Sequence, residues 1–294
     1  MTLLLQLILN GIVNAAVFSL LAVGFGLVYR SLRFFHIAFG AVYIIAPFAM
    51  IACSNLTGAP FIVSIITGLL AAAASGVIMD RVAYLPLERR DATSGVLFIA
   101  SLGLYILIVN IVALFFGNEI QIVSKGIEPS FSFGPFVLTR MQVVQFFAGW
   151  LIVTIFWCII RKNRFMKAIW AMGETPELVA VLGLPYKLMR TLVFVLSSLF
   201  AGIAAILVAL DVGVDPHVGM GALLAGAVAV LVGGVDVYWG WIGGAALLAI
   251  LQSIAVWQFS ARWNDLITFG ILIITLLFRP QGLFSPKKRR EEIR

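Results

Sequence analysis

Residues 161–190 read RKNRFMKAIWAMGETPELVAVLGLPYKLMR, and this polar stretch decides how the rest of the chain is arranged. It lies between two apolar stretches that carry no charged residue, Met141–Ile160 and Thr191–Leu210. Each of them has 20 residues and, as a helix, reaches about 30 Å, the thickness of the hydrocarbon core of a bilayer. The pattern therefore predicts a loop, here called the central loop, between two membrane-spanning helices.

The central loop is itself predicted to contain two helices separated by a break. An Ala-containing stretch with four basic residues comes first, and the break follows it. Thr175 can then cap a second helix that has Pro176 at its first position. This helix is expected over Glu177–Leu182, with Gly183 at its C-terminal end. It could lie on the membrane surface and cover the end of the bundle, or it could dock a partner, and the residues alone leave both open.

Composition restricts the class of protein. The chain has 294 residues, of which 62% are hydrophobic and 11% charged, and its mean hydropathy is +1.10. Such values are far from those of a soluble domain. Its apolar runs are too long, and alternate too little, for the strands of a membrane barrel. We therefore predict an all-α, polytopic helical membrane protein, with one transmembrane domain over residues 1–294.

About nine apolar segments can be recognised along the chain. They are Met1–Tyr29, the two parts of Phe34–Met79 divided at Asn55–Pro60, Ala92–Phe116, Met141–Ile160, Thr191–Leu210, Val218–Val235, Trp239–Trp257 and Leu266–Phe278. The seventh and the last are short enough for one of them to be re-entrant, which gives eight or nine crossings. Two loops join the early segments: a short one, Asp80–Asp91, and a longer one, Gly117–Arg140, which suits a lid or a partner contact.

The basic residues are distributed very unevenly. Seventeen of the 20 Lys and Arg residues belong to one set of regions, namely Arg30 with Arg33, the Asp80–Asp91 loop, the central loop and the tail 279–294. The excess of Lys and Arg marks the cytoplasmic side. We expect the central loop and the tail in the cytoplasm, and the N-terminus and Lys125 outside. The net charge of +7 then reflects topology and membrane lipid headgroups, and gives no reason to expect nucleic acid.

Small residues recur at helical spacing in the seventh segment. They are Gly219, Ala222, Gly226, Ala229 and Gly233. Because small faces allow close helix packing in lipid, we interpret this face as a packing seam rather than as the lining of a pore.

Two segments share the pattern His-x-small-x-Gly-Ala: His36–Ala41 and His217–Ala222. Each opens an apolar segment, and the predicted topology makes them enter from opposite sides, as an inverted repeat does. If both begin broken helices near the midplane, their N–H groups and positive dipole ends could receive a carboxylate. The candidate substrate-pathway residues are therefore His36, Phe39, Gly40, His217, Met220 and Gly221. The competing interpretations are a passage without a binding site, a chance match, and histidines that merely start helices at the interface.

Several stretches together resemble a known family over nearly the whole chain. They are Gly24–Arg30, Ala38 with Gly40, Arg164–Arg190, Ala201–Ala204, Gly233-Gly234, Gly240, Gly243-Gly244 and Leu277–Leu283. In their order and spacing the chain resembles the permease subunits of branched-chain amino-acid (Liv-type) ATP-binding cassette (ABC) importers. His36 stands where that family usually has Asn, and Phe39 where it usually has His, which leaves the solute open.

The resemblance implies a translocating subunit driven by a separate ATPase in the bacterial plasma (inner) membrane. The chain has no Gly-x-x-x-x-Gly-Lys-Ser/Thr phosphate loop, so we expect no enzyme activity and no cofactor of its own, with ATP and Mg²⁺ bound by the ATPase. The implied partners are ABC ATPase subunits, a second permease subunit, homologous or identical, and an external or periplasmic solute-binding protein. The ATPase-coupling residues are predicted to be Arg164, Lys167, Gly173, Glu174, Thr175, Pro176, Glu177, Ala180 and Gly183.

Other classes of function are less well supported. The alternative is a channel or a secondary transporter for a small polar solute such as urea. A secondary transporter needs ionisable groups inside the membrane, and the predicted spans carry essentially none away from their ends. A membrane-embedded enzyme needs a nucleophile–base pair or a metal site, and the sequence has only two histidines and no HExxH motif. A passive channel is not excluded by sequence.

Overall fold

The computed structural model describes residues 2–123, 130–133, 136–173, 185–259 and 263–285. Helices dominate this part of the chain. They are α1 (Thr2–Leu32), α2 (Phe39–Thr57), α3 (Phe61–Met79), α4 (Leu85–Glu88), α5 (Ser94–Phe116), α6 (Arg140–Lys162), α7 (Arg164–Ala171), α8 (Tyr186–Val212), α9 (Val218–Gly233), α10 (Tyr238–Phe259) and α11 (Asn264–Phe278).

Seven helices in the described ranges are long and apolar enough to cross a membrane, and α9 and α11 are two shorter apolar helices. The prediction of an all-α polytopic membrane protein is confirmed. The two short helices are the seventh and last segments, as expected. The division of Phe34–Met79 is also confirmed, because α2 ends at Gly58, whose φ of 61° is left-handed and whose N–H donates to Ser54 O.

Two predicted loops contain regular structure. The prediction for Asp80–Asp91 is wrong over most of its length, because α3 continues as a π-helical turn, Asp80–Tyr84, and then as α4. The longer loop, Gly117–Arg140, contains an antiparallel hairpin of β1 (Ser130–Phe133) and β2 (Phe136–Thr139), while residues 124–129 and 134–135 lie outside the described part. The hairpin leads into α6 through a capping box, in which Thr139 and Gln142 exchange side chain-to-backbone hydrogen bonds of 3.1 Å.

The central loop is shorter than predicted. Its first predicted helix is present as α7, but α6 continues to Lys162 and α8 already begins at Tyr186. The second predicted helix, including Thr175, Pro176 and Gly183, lies outside the described residues, and so does the basic tail 286–294.

α1 forms the centre of the bundle. It runs antiparallel to α10, since Gly11 packs against Ile250 and Gly26 against Trp241, and it also contacts α6, α8 and α9. Most of α1 is buried, whereas α3, α5 and α6 expose most of their apolar side chains, as expected for helices that face lipid.

The regions predicted to share one side do meet at one end of the bundle, here called the basic end. Arg30 pairs with Asp236 and Arg190 with Asp80, while Gly234 packs against Ser285 near the end of the described chain. The opposite end joins other loops, for example through a bridge in which Gln121 and Val214 exchange backbone hydrogen bonds of 2.8 and 3.0 Å.

The small face of α9 is a packing seam, as interpreted. A Cβ atom added to Gly226 would lie 2.9 Å from Leu21 O of α1, and one added to Gly233 would clash with the carbonyl of Gly240. Ala222 differs from these glycines, because it lines an open groove described below.

Candidate functional site

α2 and α9 cross where their first turns meet. A Cβ atom added to Gly40 would lie 2.6 Å from Gly219 O and 3.1 Å from the ring of Tyr105, and one added to Gly219 would clash with the carbonyl of Gly40. Only glycine at both positions allows the two backbones to approach this closely. We call this contact the α2–α9 crossing.

The crossing lies inside the bundle rather than at its surface. The ring of Phe39, in the first turn of α2, packs against Gly24 of α1. Gly24 lies eight residues before the end of α1 at Leu32, which is about 12 Å along a helix. The chain therefore turns back into the bundle before α2 begins. α9 enters the bundle from the end opposite the basic end, where α8 stops, whereas α2 enters from the basic end. The two His-containing segments therefore meet from opposite ends, which agrees with an inverted repeat.

Three of the predicted pathway residues are part of the packed core. His36 is 1% exposed, and Phe39 and Gly40 are buried. The N–H groups at the start of α2 are already bonded: Ala38 N to Ser101 Oγ at 2.8 Å, Phe39 N to His36 O at 3.3 Å and Gly40 N to Ile37 O at 3.0 Å. These groups are thus not free to receive a carboxylate, contrary to the expectation for this segment.

The other three line or border open space. His217 and Gly221 line a groove of about 550 Å³ between α1, α9, α10 and α11, and Met220 is half-buried beside them. A Cβ atom added to Gly221 would meet nothing within 4 Å. Of the two His-containing segments, the second therefore faces the groove. At its helix start, His217 N donates to Asp215 Oδ1 at 2.8 Å and the Met220 N–H bonds to the Tyr105 hydroxyl.

Amide side chains, which the sequence reasoning did not select, give the groove its polar lining. They are Asn14 of α1, Gln252 of α10 and Asn264 of α11, accompanied by Asp265 and Thr268. Gln252 Nε2 donates to Thr268 Oγ1 at 2.5 Å, and Asn264 Oδ1 is buried without a hydrogen-bond partner among the described residues. Apolar side chains such as Val17 and Phe18 complete the lining. Apolar walls with a few polar groups suit a small amphipathic solute.

α7 and Gly173 attach the first part of the central loop to the basic end. Arg164 and Lys167 are exposed on α7, and the opposite face of this amphipathic helix is buried. Arg33 Nε donates to Gly173 O at 2.9 Å, and the Cα of Gly173 packs so tightly against Arg30 O that no side chain fits there. The other predicted coupling residues lie outside the described chain: Glu174, Thr175, Pro176, Glu177, Ala180 and Gly183.

Arg30, which is buried, also holds α7 against the bundle. It is 4% exposed, pairs with Asp236 and holds its guanidinium 4.5 Å from the ring centre of Trp170 on α7. Trp170 in turn packs on Trp241 of α10, with ring centres 5.0 Å apart. The cation–π contact and the ion pair together join α1, α7 and the α9–α10 link.

A second buried cation holds the start of α8. Arg190 Nε lies 2.7 Å from Asp80 Oδ1, with side chains that are 3% and 2% exposed, and Arg190 also pairs with the half-exposed Glu88. Buried charges persist only when they are paired. Both borders of residues 174–184 are therefore fixed to the bundle, one through Arg30 and Arg33, the other through Arg190.

The sequence reasoning missed these pairs because it treated Asp80, Glu88 and Arg190 as solvated loop charges. A signal was present for two of them: Asp80 and Arg190 each directly border a long apolar segment. Which charge pairs with which depends on helix packing and could not be read from spacing.

Long lipid-facing helices, helix starts that cross inside the bundle and a polar groove beside that crossing define a polytopic membrane permease. Among solved structures, PsaBC from Streptococcus pneumoniae in complex with Fab has the same overall fold, with a TM-score of 0.50, 16% identity, and coverage of 96% of this chain and 92% of that one.

Residues 7–276 match the family described as the permease component of branched-chain amino acid transport systems, and the chain belongs to this family. It is 27% identical to the high-affinity branched-chain amino acid transport permease BraD of Pseudomonas aeruginosa, covering 96% of this chain and 95% of that protein. It is equally similar, with the same coverage, to LivH of Escherichia coli K12, and 24% identical to a probable LivH of Methanocaldococcus jannaschii.

Proposed function

We propose that this chain is the translocating subunit of an ABC importer that carries branched-chain or other hydrophobic amino acids across the bacterial inner membrane. Family membership supports the permease role, and the names of the relatives support the solute class. The groove beside the α2–α9 crossing is the route for the solute. Its amides and the start of α9 face the polar part of an amino acid, and Val17 and Phe18 face the hydrophobic side chain.

The two-sided attachment of residues 174–184 is the observation that carries the ATPase-driven mechanism. A separate ATPase docks on the central loop, near the exposed Arg164 and Lys167 of α7. Closure of the ATPase dimer moves the loop. Because Gly173 is fixed to α1, and Arg190 to the π-helical turn, the motion reaches both α1 and α3 and changes access to the groove.

The same proposal assigns the remaining partners. The basic end and the C-terminus face the cytoplasm, where the ATPase binds ATP and Mg²⁺. An external solute-binding protein docks at the opposite end, near the hairpin and the α8–α9 link. A second permease subunit, homologous or identical, completes the passage.

A secondary transporter gains no support from the two paired carboxylates at the basic end. Asp80 and Asp236 are engaged in ion pairs with Arg190 and Arg30 at the basic end. A carboxylate bound to an arginine in this way is not a free site for coupling protons or sodium ions.

The test is to replace residues in the central loop with bulky ones. A tagged chain is purified with its partners, and Glu174→Trp and Gly183→Trp are compared with Gly103→Trp, a control position on α5 where an added Cβ meets nothing within 4 Å. We expect the two loop variants to keep the amount of chain but to lose transport or the bound ATPase. Unchanged co-purification and unchanged transport in both would exclude the proposed docking site.

A further inference from the structure

A chain of buried hydrogen bonds connects the basic end with the α2–α9 crossing. Tyr84, the last residue of the π-helical turn, donates to Ser101 Oγ of α5 at 3.0 Å, and His36 Nδ1 lies 3.0 Å from Tyr84 Oη. All three side chains are at most 1% exposed.

At one end, this series of hydrogen bonds reaches the first turn of α2. Ser101 Oγ also accepts from Ala38 N at 2.8 Å. Ala38 is the residue immediately before α2 and lies two residues before Gly40, which contacts Gly219 of α9. A shift of Ser101 or Tyr84 would therefore displace the backbone at the α2–α9 crossing.

At its other end, the series of hydrogen bonds is connected to the start of α8 through the π-helical turn. Asp80 and Tyr84 lie four residues apart on the π-helical turn, and they contact Arg190 and Phe194, which lie four residues apart on α8. The first contact is the buried ion pair, and the second is a stack with ring centres 5.7 Å apart and planes at 16°. The ring of His36 lies 5.6 Å from Phe194 as well. With two contacts one helical turn apart, the π-helical turn follows any rotation or translation of α8.

We infer that His36, Tyr84 and Ser101, here called the relay, are positioning residues that transmit movement of the start of α8 to the α2–α9 crossing. This inference rests on the proposed function, because it assumes that the ATPase moves α8. π-Helical turns inside α-helices are frequent at functional sites, and chains of packed side chains and hydrogen bonds can carry coupling between distant sites. Here that set consists of one ion pair, one aromatic stack and three hydrogen bonds.

The first experiment measures leucine uptake and ATP hydrolysis by the purified assembly in proteoliposomes. Tyr84→Phe and Ser101→Ala each remove one hydroxyl and little volume. The control is Ser75→Ala, which removes a hydroxyl that donates to Ala72 O of its own helix at 2.8 Å. We expect leucine transported per ATP to fall about fivefold in the two relay variants, as the loss of one buried hydrogen bond permits, and to stay at the wild-type value in the control.

Two outcomes would overturn the relay. One is an unchanged ratio of uptake to hydrolysis in both variants. The other is a fall of uptake and hydrolysis in proportion to the amount of assembled chain, which indicates a purely structural role. The double variant should be no worse than either single one, because both break the same connection.

A second experiment needs no ATPase. In a chain with Cys53 and Cys158 replaced by Ser, Gly221→Cys reports on the groove through its rate of reaction with an impermeant maleimide. Arg190→Lys should change this rate, and Ser101→Ala should abolish the response. A response to Arg190→Lys that persists in the Ser101→Ala background would contradict the relay, whereas absence of ATP-driven uptake in the wild type would contradict the proposed function instead.

Discussion

The Asp80–Arg190 pair gives the sharpest prediction about stability. Asp80→Ala leaves the Arg190 guanidinium buried with only Glu88 opposite it among the contacts described above, and the Glu88 side chain is 44% exposed. Removal of one partner from a buried pair costs about 3–5 kcal/mol. Because Glu88 remains, we expect the lower end, about 3 kcal/mol. Glu88→Ala, the matched control, should cost about 1 kcal/mol or less, since half-exposed pairs are screened by solvent.

The double variant Asp80→Ala/Arg190→Met tests whether the second substitution raises or lowers the stability of Asp80→Ala. It removes the buried charge together with its partner, so it should be more stable than Asp80→Ala alone, with a loss of about 1 kcal/mol relative to the wild type. Reversible unfolding in mixed detergent micelles, followed through the fluorescence of the seven tryptophans, measures all four chains. A cost below about 1 kcal/mol for Asp80→Ala, or a double variant less stable than the single one, would refute the reasoning.

Other predictions concern transport, topology and the hairpin. Gly219→Ala should reduce leucine uptake about tenfold, because overpacking at the crossing costs about 1–3 kcal/mol. Gly103→Ala on α5 faces open space outside the groove and should retain uptake; equal losses would contradict the crossing. A cysteine at position 167 should react with an impermeant reagent only after permeabilisation and one at position 125 in intact cells, and the reverse pattern would overturn the orientation. Thr139→Val should destabilise the chain by about 1 kcal/mol through loss of the capping box, as measured by unfolding, and no change would argue against that cap.

Composition and segment length were sufficient to predict the membrane class and the helices. Gly58 after α2, for example, is a local signal for a helix end and was found where the sequence placed the break. The clearest failure, Asp80–Asp91, has a physical cause. A stretch with six charged residues resembles a solvated loop, but Asp80 pairs with a buried arginine more than one hundred residues away, and this partner stabilises a helix that local sequence disfavours.

The site was predicted only in part. The shared His-containing pattern selected two segments whose helix starts lie in contact in the structure, a contact that the sequence did not predict. Periodicity also could not show that His36 bonds to Tyr84 and is buried, while His217 faces the groove. The groove amides were missed because they come from three helices. Asn10 and Asn14, four residues apart on α1, were the available signal, since repeated amides on one face of an apolar span are costly in lipid without a partner or water.

ATP-driven uptake is the measurement that tests the central claim most directly. The chain is purified with its partners, reconstituted into proteoliposomes together with the solute-binding protein, and supplied with radiolabelled leucine on one side and ATP with Mg²⁺ on the other. We predict accumulation of leucine against its gradient that requires ATP and is competed by isoleucine and valine but not by urea. Leucine entry that proceeds equally without ATP and stops at equal concentrations would contradict the importer and indicate a passive channel.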